Sequence, residues 1–168
     1  MQLTQYTLAT IALLTSYASA QTAFVINSCA FPVYISSAPN NGAAAAATVT
    51  IPPGGTFSEP YTSFGSAIRI ANSSSIASPL TFEYTPNRAS NLVYYDLSNN
   101  AGNPFSGFEN VLVPSNSSCY RFDCKAGDTG TGCYSNGASI KVQACTPTDL
   151  TTRLCTAFEK KREVGFEA

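Results

Sequence analysis

Leu80-Thr81-Phe82-Glu83-Tyr84-Thr85 and, a few residues on, Val93-Tyr94-Tyr95-Asp96-Leu97 share one pattern, a larger apolar side chain at every second position. Successive side chains of a β-strand leave on opposite faces, so a period of two marks half-buried strands and sorts their residues. Glu83 points away from the face that carries Phe82. In the second run Val93, Tyr95 and Leu97 take one side, and Tyr94 with Asp96 takes the other. If the two strands are neighbours, Glu83 and Asp96 share an open polar face with an aromatic ring beside them.

Working outward, runs of the same kind recur at 24–27, 32–36, 48–51, 67–70, 80–85, 92–97 and 139–143. Asn41-Gly42, Pro53-Gly54-Gly55 and Asn136-Gly137 punctuate them as turns, and no stretch sustains a helical period. The alanines at 43–47 favour helix, but five residues are too few for a stable one and read as loop. Gly127, Gly130 and Gly132 around Asp128 lack the flanking strand and helix of an anion-binding loop and read as a turn. The expected fold is all-β, a sandwich with little helix.

Residues 1–20 contain no charged side chain, pass through the apolar stretch 8–14 and end in Ala18-Ser19-Ala20. That is the layout of a signal peptide cleaved before Gln21, with an apolar core too short to span a bilayer. The expected organisation is a signal peptide at 1–20, one β domain at 21–155, and a polar tail at 156–168 that carries the dibasic pair Lys161-Arg162. A secreted, extracellular or wall-associated location follows. The formal net charge of −1 gives no footprint for nucleic acid or an anionic membrane, and a monomer is expected.

The six cysteines, Cys29, Cys119, Cys124, Cys133, Cys145 and Cys155, all lie beyond the export signal. An even count in an exported chain reads as three disulfides, with 15 connectivities open. Five are crowded in the C-terminal half while Cys29 stands alone, so one bridge must close a long loop. Zinc at Cys119-x4-Cys124 is disfavoured by the oxidising compartment and the absence of any histidine, and neither metal nor cofactor is expected. Asn72-Ser73-Ser74 and Asn116-Ser117-Ser118 are acceptors for N-glycosylation in surface loops.

With no histidine in the chain, Ser-His and Cys-His catalysis are excluded. Thiol chemistry is disfavoured if every cysteine is bridged. What stays open is a carboxylate pair of the kind that hydrolyses glycosidic bonds, and Glu83 with Asp96 is the pair with a structural logic. Carboxylates beside a tyrosine ring also suit sugar binding, by hydrogen bonds to hydroxyls and stacking on the ring face. The plainer reading is that both carboxylates merely solvate the sheet.

The stretch Phe24-Val25-Ile26-Asn27-Ser28-Cys29-Ala30-Phe31-Pro32-Val33-Tyr34-Ile35 resembles the opening strand pair of thaumatin-like proteins. Pro53-Gly54-Gly55-Thr56-Phe57, Leu80 to Tyr84, Tyr95 to Ser98 through Gly102-Asn103-Pro104-Phe105, and Cys119-x4-Cys124-Lys125-Ala126-Gly127 continue the likeness in order. Phe31 to Tyr34, Glu59 to Tyr61, Phe82 to Tyr84 and Tyr94 to Ser98 resemble the signatures of the small fungal family named after the Blastomyces yeast-phase-specific protein. The likeness covers roughly residues 22 to 155. It implies a disulfide-stapled thaumatin-like β-sandwich, with bridges Cys29–Cys155, Cys124–Cys133 and Cys119–Cys145. It also implies a glycan-binding role, since larger thaumatin-like proteins carry an acidic cleft that binds, and sometimes hydrolyses, β-1,3-glucans. Glu83 and Asp96 fall on two cleft acids of that family. A further cleft Asp, expected five residues after Asp96, is Ala101 here, and most of the second domain that walls the cleft is missing. The resemblance therefore implies a glycan binder of the cell wall rather than an efficient enzyme, with a weak endo-β-1,3-glucanase or a virulence or interaction protein as alternatives.

Overall fold

Eleven strands and no helix make up the regular structure of residues 21–127, 132–134 and 142–156, the part that the computed structural model describes. The expected export signal at 1–20, the Lys161-Arg162 pair, the expected turns at Asp128 and Asn136-Gly137, and positions 139–141 of one expected strand lie outside the described residues.

In chain order the strands are β1 Thr22–Asn27, β2 Val33–Pro39, β3 Val49–Ile51, β4 Thr56–Pro60, β5 Ser66–Ala71, β6 Leu80–Asn87, β7 Leu92–Ser98, β8 Glu109–Pro114, β9 Phe122–Cys124, β10 Gln143–Cys145 and β11 Leu150–Thr156. They form two sheets, ordered β4-β1-β11-β8-β9 and β10-β7-β6-β5-β2-β3. Neighbours pair antiparallel except β1 and β11, which run parallel from Ala23↔Leu150 to Asn27↔Leu154. Each strand gives alternate side chains to the space between the sheets. Val25, Leu112, Phe122 and Leu150 meet Ile35, Ile68, Phe82 and Tyr95 in one buried cluster. Burying side chains of this size stabilises by about 1.5–3 kcal/mol each relative to exposure.

Alternation located β1, β2, β3, β5, β6 and β7, and the alanines at 43–47 form loop as expected, with Ala46 N–H donating to Ser37 C=O at 2.7 Å. The C-terminal strands were less visible. The described part of the run expected at 139–143 begins one strand only at Gln143, and β4, β8, β9 and β11 were not anticipated. In β8 the run Val111-Leu112-Val113 is continuous rather than alternating, and in β11 the inward positions include the polar Thr152.

The disulfides are Cys29–Cys155, Cys119–Cys145 and Cys124–Cys133, the pairs that the family resemblance implies. Two buried asparagines brace the first. Asn27 Oδ1 accepts from Cys29 N–H and Asn110 Oδ1 from Cys155 N–H, at 3.0 and 3.1 Å. Their amide nitrogens donate to the carbonyls of Phe31 and Ile51, and of Phe105 and Phe108. The other two bridges govern the Cys-rich stretch. Cys119–Cys145 ties the loop before β9 to β10 on the opposite sheet, and Cys124–Cys133 holds the end of β9 beside Tyr134, which bridges to Ser98 of β7. The stretch thus delivers chain to the free edge of β7.

Candidate functional site

The β6–β7 register makes Glu83 and Asp96 direct cross-strand partners, with Thr85↔Tyr94 on one side and Thr81↔Ser98 on the other. Because Phe82, Tyr84, Tyr95 and Leu97 fill the core, these polar residues line the outer face of the six-stranded sheet. The next strand inward, β5, sets Ala67 opposite Glu83 and Arg69 opposite Thr81. Glu83 and Asp96 therefore stand together as the alternation predicted, with Tyr94 next along β7 on the same face.

Their burial is unequal. Glu83 is half-buried, whereas Asp96 is 3% exposed although it lies on an outer face. Two pieces of the Cys-rich stretch flank the edge of β7. β10 pairs with Val93, Tyr94 and Tyr95, and Tyr134 exchanges hydrogen bonds with Leu97 C=O and Asn99 N–H at 2.9 and 3.0 Å. Asp96 lies between them. Tyr94, 38% exposed, and Val142, 46% exposed, stand at the surface beside it. Together with Asn40 and Thr85 these residues line a shallow depression of 210 Å³.

Asn40, from the loop after β2, reaches the rim by donating from Nδ2 to Thr85 Oγ1 at 3.1 Å and from its N–H to Gly65 C=O at 3.1 Å. Gly65 must be glycine there. It has φ +79°, and a Cβ would collide with the Tyr84 carbonyl and the Thr85 backbone.

Among the described residues neither carboxyl has a hydrogen-bond or ion-pair partner. Asp96 Oδ1 is buried without a hydrogen-bond donor, and Glu83 makes no hydrogen bond or ion pair among the described residues. Arg69, diagonal to Glu83 on β5, pairs with neither; the ion pair among the described residues is Arg121–Asp123. Burial, and after it the charge of Glu83, pushes the Asp96 carboxyl up to about 7 from the ordinary 3.8. Burial also raises Glu83. Desolvation penalises the charged form, and two carboxylates in one place resist ionising together.

An acid held near neutrality beside a second carboxyl has the ingredients of general acid and base chemistry. Directly opposed residues have Cβ atoms about 4.5–5.5 Å apart, compatible with the short carboxyl spacing of retaining glycosidases. The surroundings differ from an enzyme's. The depression, at 210 Å³, falls below the roughly 300–1,000 Å³ of small-molecule sites, and exposed Ala101 supplies no third carboxylate. Among the described residues no group of three His, Cys, Asp or Glu could hold a metal, and no helix is long and apolar enough to cross a membrane.

The glycosylation acceptors do not line the depression. Asn72 is exposed after β5, while exposed Asn116 donates from Nδ2 to Thr146 Oγ1 and accepts from Ser118 N–H. Sequence reading missed Asn40 and Val142, which only folding brings to the acids. It also missed a larger hollow of 420 Å³ near the β6–β7 turn, lined by Gln21, Tyr61, Arg88 and Asn91 among others.

Two β-sheets packed face to face and stapled by three disulfides define a disulfide-linked β-sandwich protein. Within that class the chain belongs to the family described as Blastomyces yeast-phase-specific protein, whose profile matches residues 10–156. The fold is similar to the crystal structure of the protein elicitor MoHrip2 from Magnaporthe oryzae, with a TM-score of 0.75 and 33% identity over 82% of this chain and 100% of that one. It is also similar to the thaumatin-like xylanase inhibitor TLXI, with a TM-score of 0.57 and 13% identity over 80% of this chain and 99% of that one, a likeness of fold alone. No curated protein matches by sequence.

Proposed function

We propose that this chain is an extracellular or wall-associated fungal protein that binds a cell-wall glycan through Glu83, Asp96 and Tyr94. The observation that carries the reading is Asp96 Oδ1, buried yet without a donor and facing a second carboxyl equally without a partner. Buried acceptors in folded proteins are almost always satisfied, so an unsatisfied carboxyl oxygen beside a half-buried second carboxyl favours donors supplied from outside. Sugar hydroxyls are such donors, and the exposed Tyr94 ring offers a stacking surface. Export is supported by the apolar leader at 1–20 and by the absence of free cysteines among the described residues. The 33% identity to a protein elicitor agrees with a role outside the cell.

The test is retention on a panel of insoluble wall polysaccharides, comparing wild type with the double variant Glu83→Gln/Asp96→Asn. Wild type is retained on at least one polymer, and the double variant is released into the wash. Equal retention of both proteins would remove Glu83 and Asp96 from the role. The raised Asp96 carboxyl favours a second reading, slow endo-β-1,3-glucan hydrolysis, which release of reducing sugar by wild type alone would select.

A further inference from the structure

We infer that the exported chain closes its own N-terminus: Gln21, once it is the first residue, cyclises to pyroglutamate, and the fold locks that end beside the hollow near the β6–β7 turn. This rests on the export reading above, with its cut before Gln21, and is independent of any glycan.

The chemistry needs no co-reactant. The α-amino nitrogen of a terminal glutamine attacks Cδ of its own side-chain amide, so that the N–Cδ bond forms and the Cδ–Nε2 bond breaks. Nε2 takes up the proton that the α-nitrogen sheds and leaves as ammonia. The product is a five-membered lactam, neutral where the terminal amine was a cation.

The surroundings of Gln21 suit that product. The ring uses only N, Cα, Cβ, Cγ and Cδ, and the fold holds the residue by atoms outside it. Gln21 C=O accepts from Tyr61 N–H at 2.8 Å, and Thr22 N–H donates to Asp149 Oδ1 at 2.8 Å. Both polar atoms of the peptide group joining residues 21 and 22 are thereby engaged, and Thr22 pairs with Pro60 of β4. Gln21 is half-buried and lines the 420 Å³ hollow, whose walls include one cation, Arg88, and no carboxylate. Asp149 stands outside that lining, with Oδ1 already engaged. A terminal ammonium would add a second positive charge there, which like charge disfavours. A lactam adds none, and Tyr61, Leu92 and Pro147 offer apolar wall to its methylenes. A peptidase must draw the bond between residues 21 and 22 off both hydrogen-bond partners before it can cut, so the native end resists removal.

The experiment takes the full chain exported by a fungal host on its own leader and reads the N-terminus by intact mass and stepwise degradation. The protein is expected to start at residue 21, about 17 Da lighter than the free-glutamine form through loss of ammonia, and to be blocked to degradation. Gln21→Ala, exported the same way, is open to it. Pyroglutamyl aminopeptidase is expected to remove residue 21 from unfolded wild type and to spare the native protein over the same time. Asp149→Ala, certified as folded by a cooperative thermal transition, releases Thr22 N–H and is opened about tenfold faster than native wild type, the scale of one hydrogen bond. A free amine on Gln21 overturns the modification while leaving export in place. A start at any other residue overturns the expected cut and the inference with it. Native wild type opened as fast as unfolded protein, or Asp149→Ala opened no faster than wild type, overturns the lock.

Discussion

Asp96 concentrates the unusual chemistry of this protein in one side chain. Burial first, and the Glu83 charge second, hold its folded-state carboxyl at about 7, above the ordinary 3.8. Between those values the folded state keeps a proton that the unfolded chain has released, so stability is full below the ordinary value and falls as pH rises toward about 7. Glu83, also raised by burial, contributes with the same sign. Asp96→Asn removes the buried charge with little change of shape. The variant is expected to unfold at a higher temperature than wild type at about pH 8 and to show a flatter fall in midpoint from about pH 4 upward. Identical pH profiles in calorimetry would contradict this. The parity of Glu83, Tyr94 and Asp96 was legible in their own strands. The burial of Asp96 was not, because alternation assigns it to an outer face and cannot reveal that Tyr134 and β10 flank that edge.

Among the elements, β11 combines local illegibility with a central place. It lies between β1 and β8, parallel to one and antiparallel to the other, and its inward row is Leu150, Thr152 and Leu154. Thr152 is fully buried and its Oγ1 has no hydrogen-bond partner. Thr152→Val replaces that hydroxyl by a methyl of nearly the same size and is expected to raise stability by about 1 kcal/mol in denaturant unfolding, since a buried polar group without a partner costs about 1–3 kcal/mol. A destabilised variant would mean that the hydroxyl is satisfied in solution. β6 and β7 announce themselves because each has a core face and a polar face. β11 and β8 do not, because a polar residue or an unbroken apolar run interrupts the period of two, and their partners lie far away in the chain.

At the scale of the whole molecule, Cys29–Cys155 spans 126 residues and fastens the turn after β1 to the end of β11. By restricting the unfolded chain, a bridge over a loop of this length stabilises by about 4–5 kcal/mol. Cys29→Ala/Cys155→Ala is therefore expected to lose about 2–5 kcal/mol in guanidinium unfolding, and a loss below about 1 kcal/mol would show that the Asn27 and Asn110 hydrogen bonds hold these termini unaided.

The linear chain dictated a great deal here: the strand character of β6 and β7, an all-β class, the number of bridges, and the exclusion of histidine chemistry. Each of these is a local or compositional property, carried by residue parity or by a count. Folding alone decided that β1 and β11 lie side by side, that Asn40 and Val142 join the acidic pair, and that Asp96 loses its water while gaining no donor. Such features depend on register between distant segments, and a carboxyl's surroundings are set by whatever the rest of the chain packs against its strand.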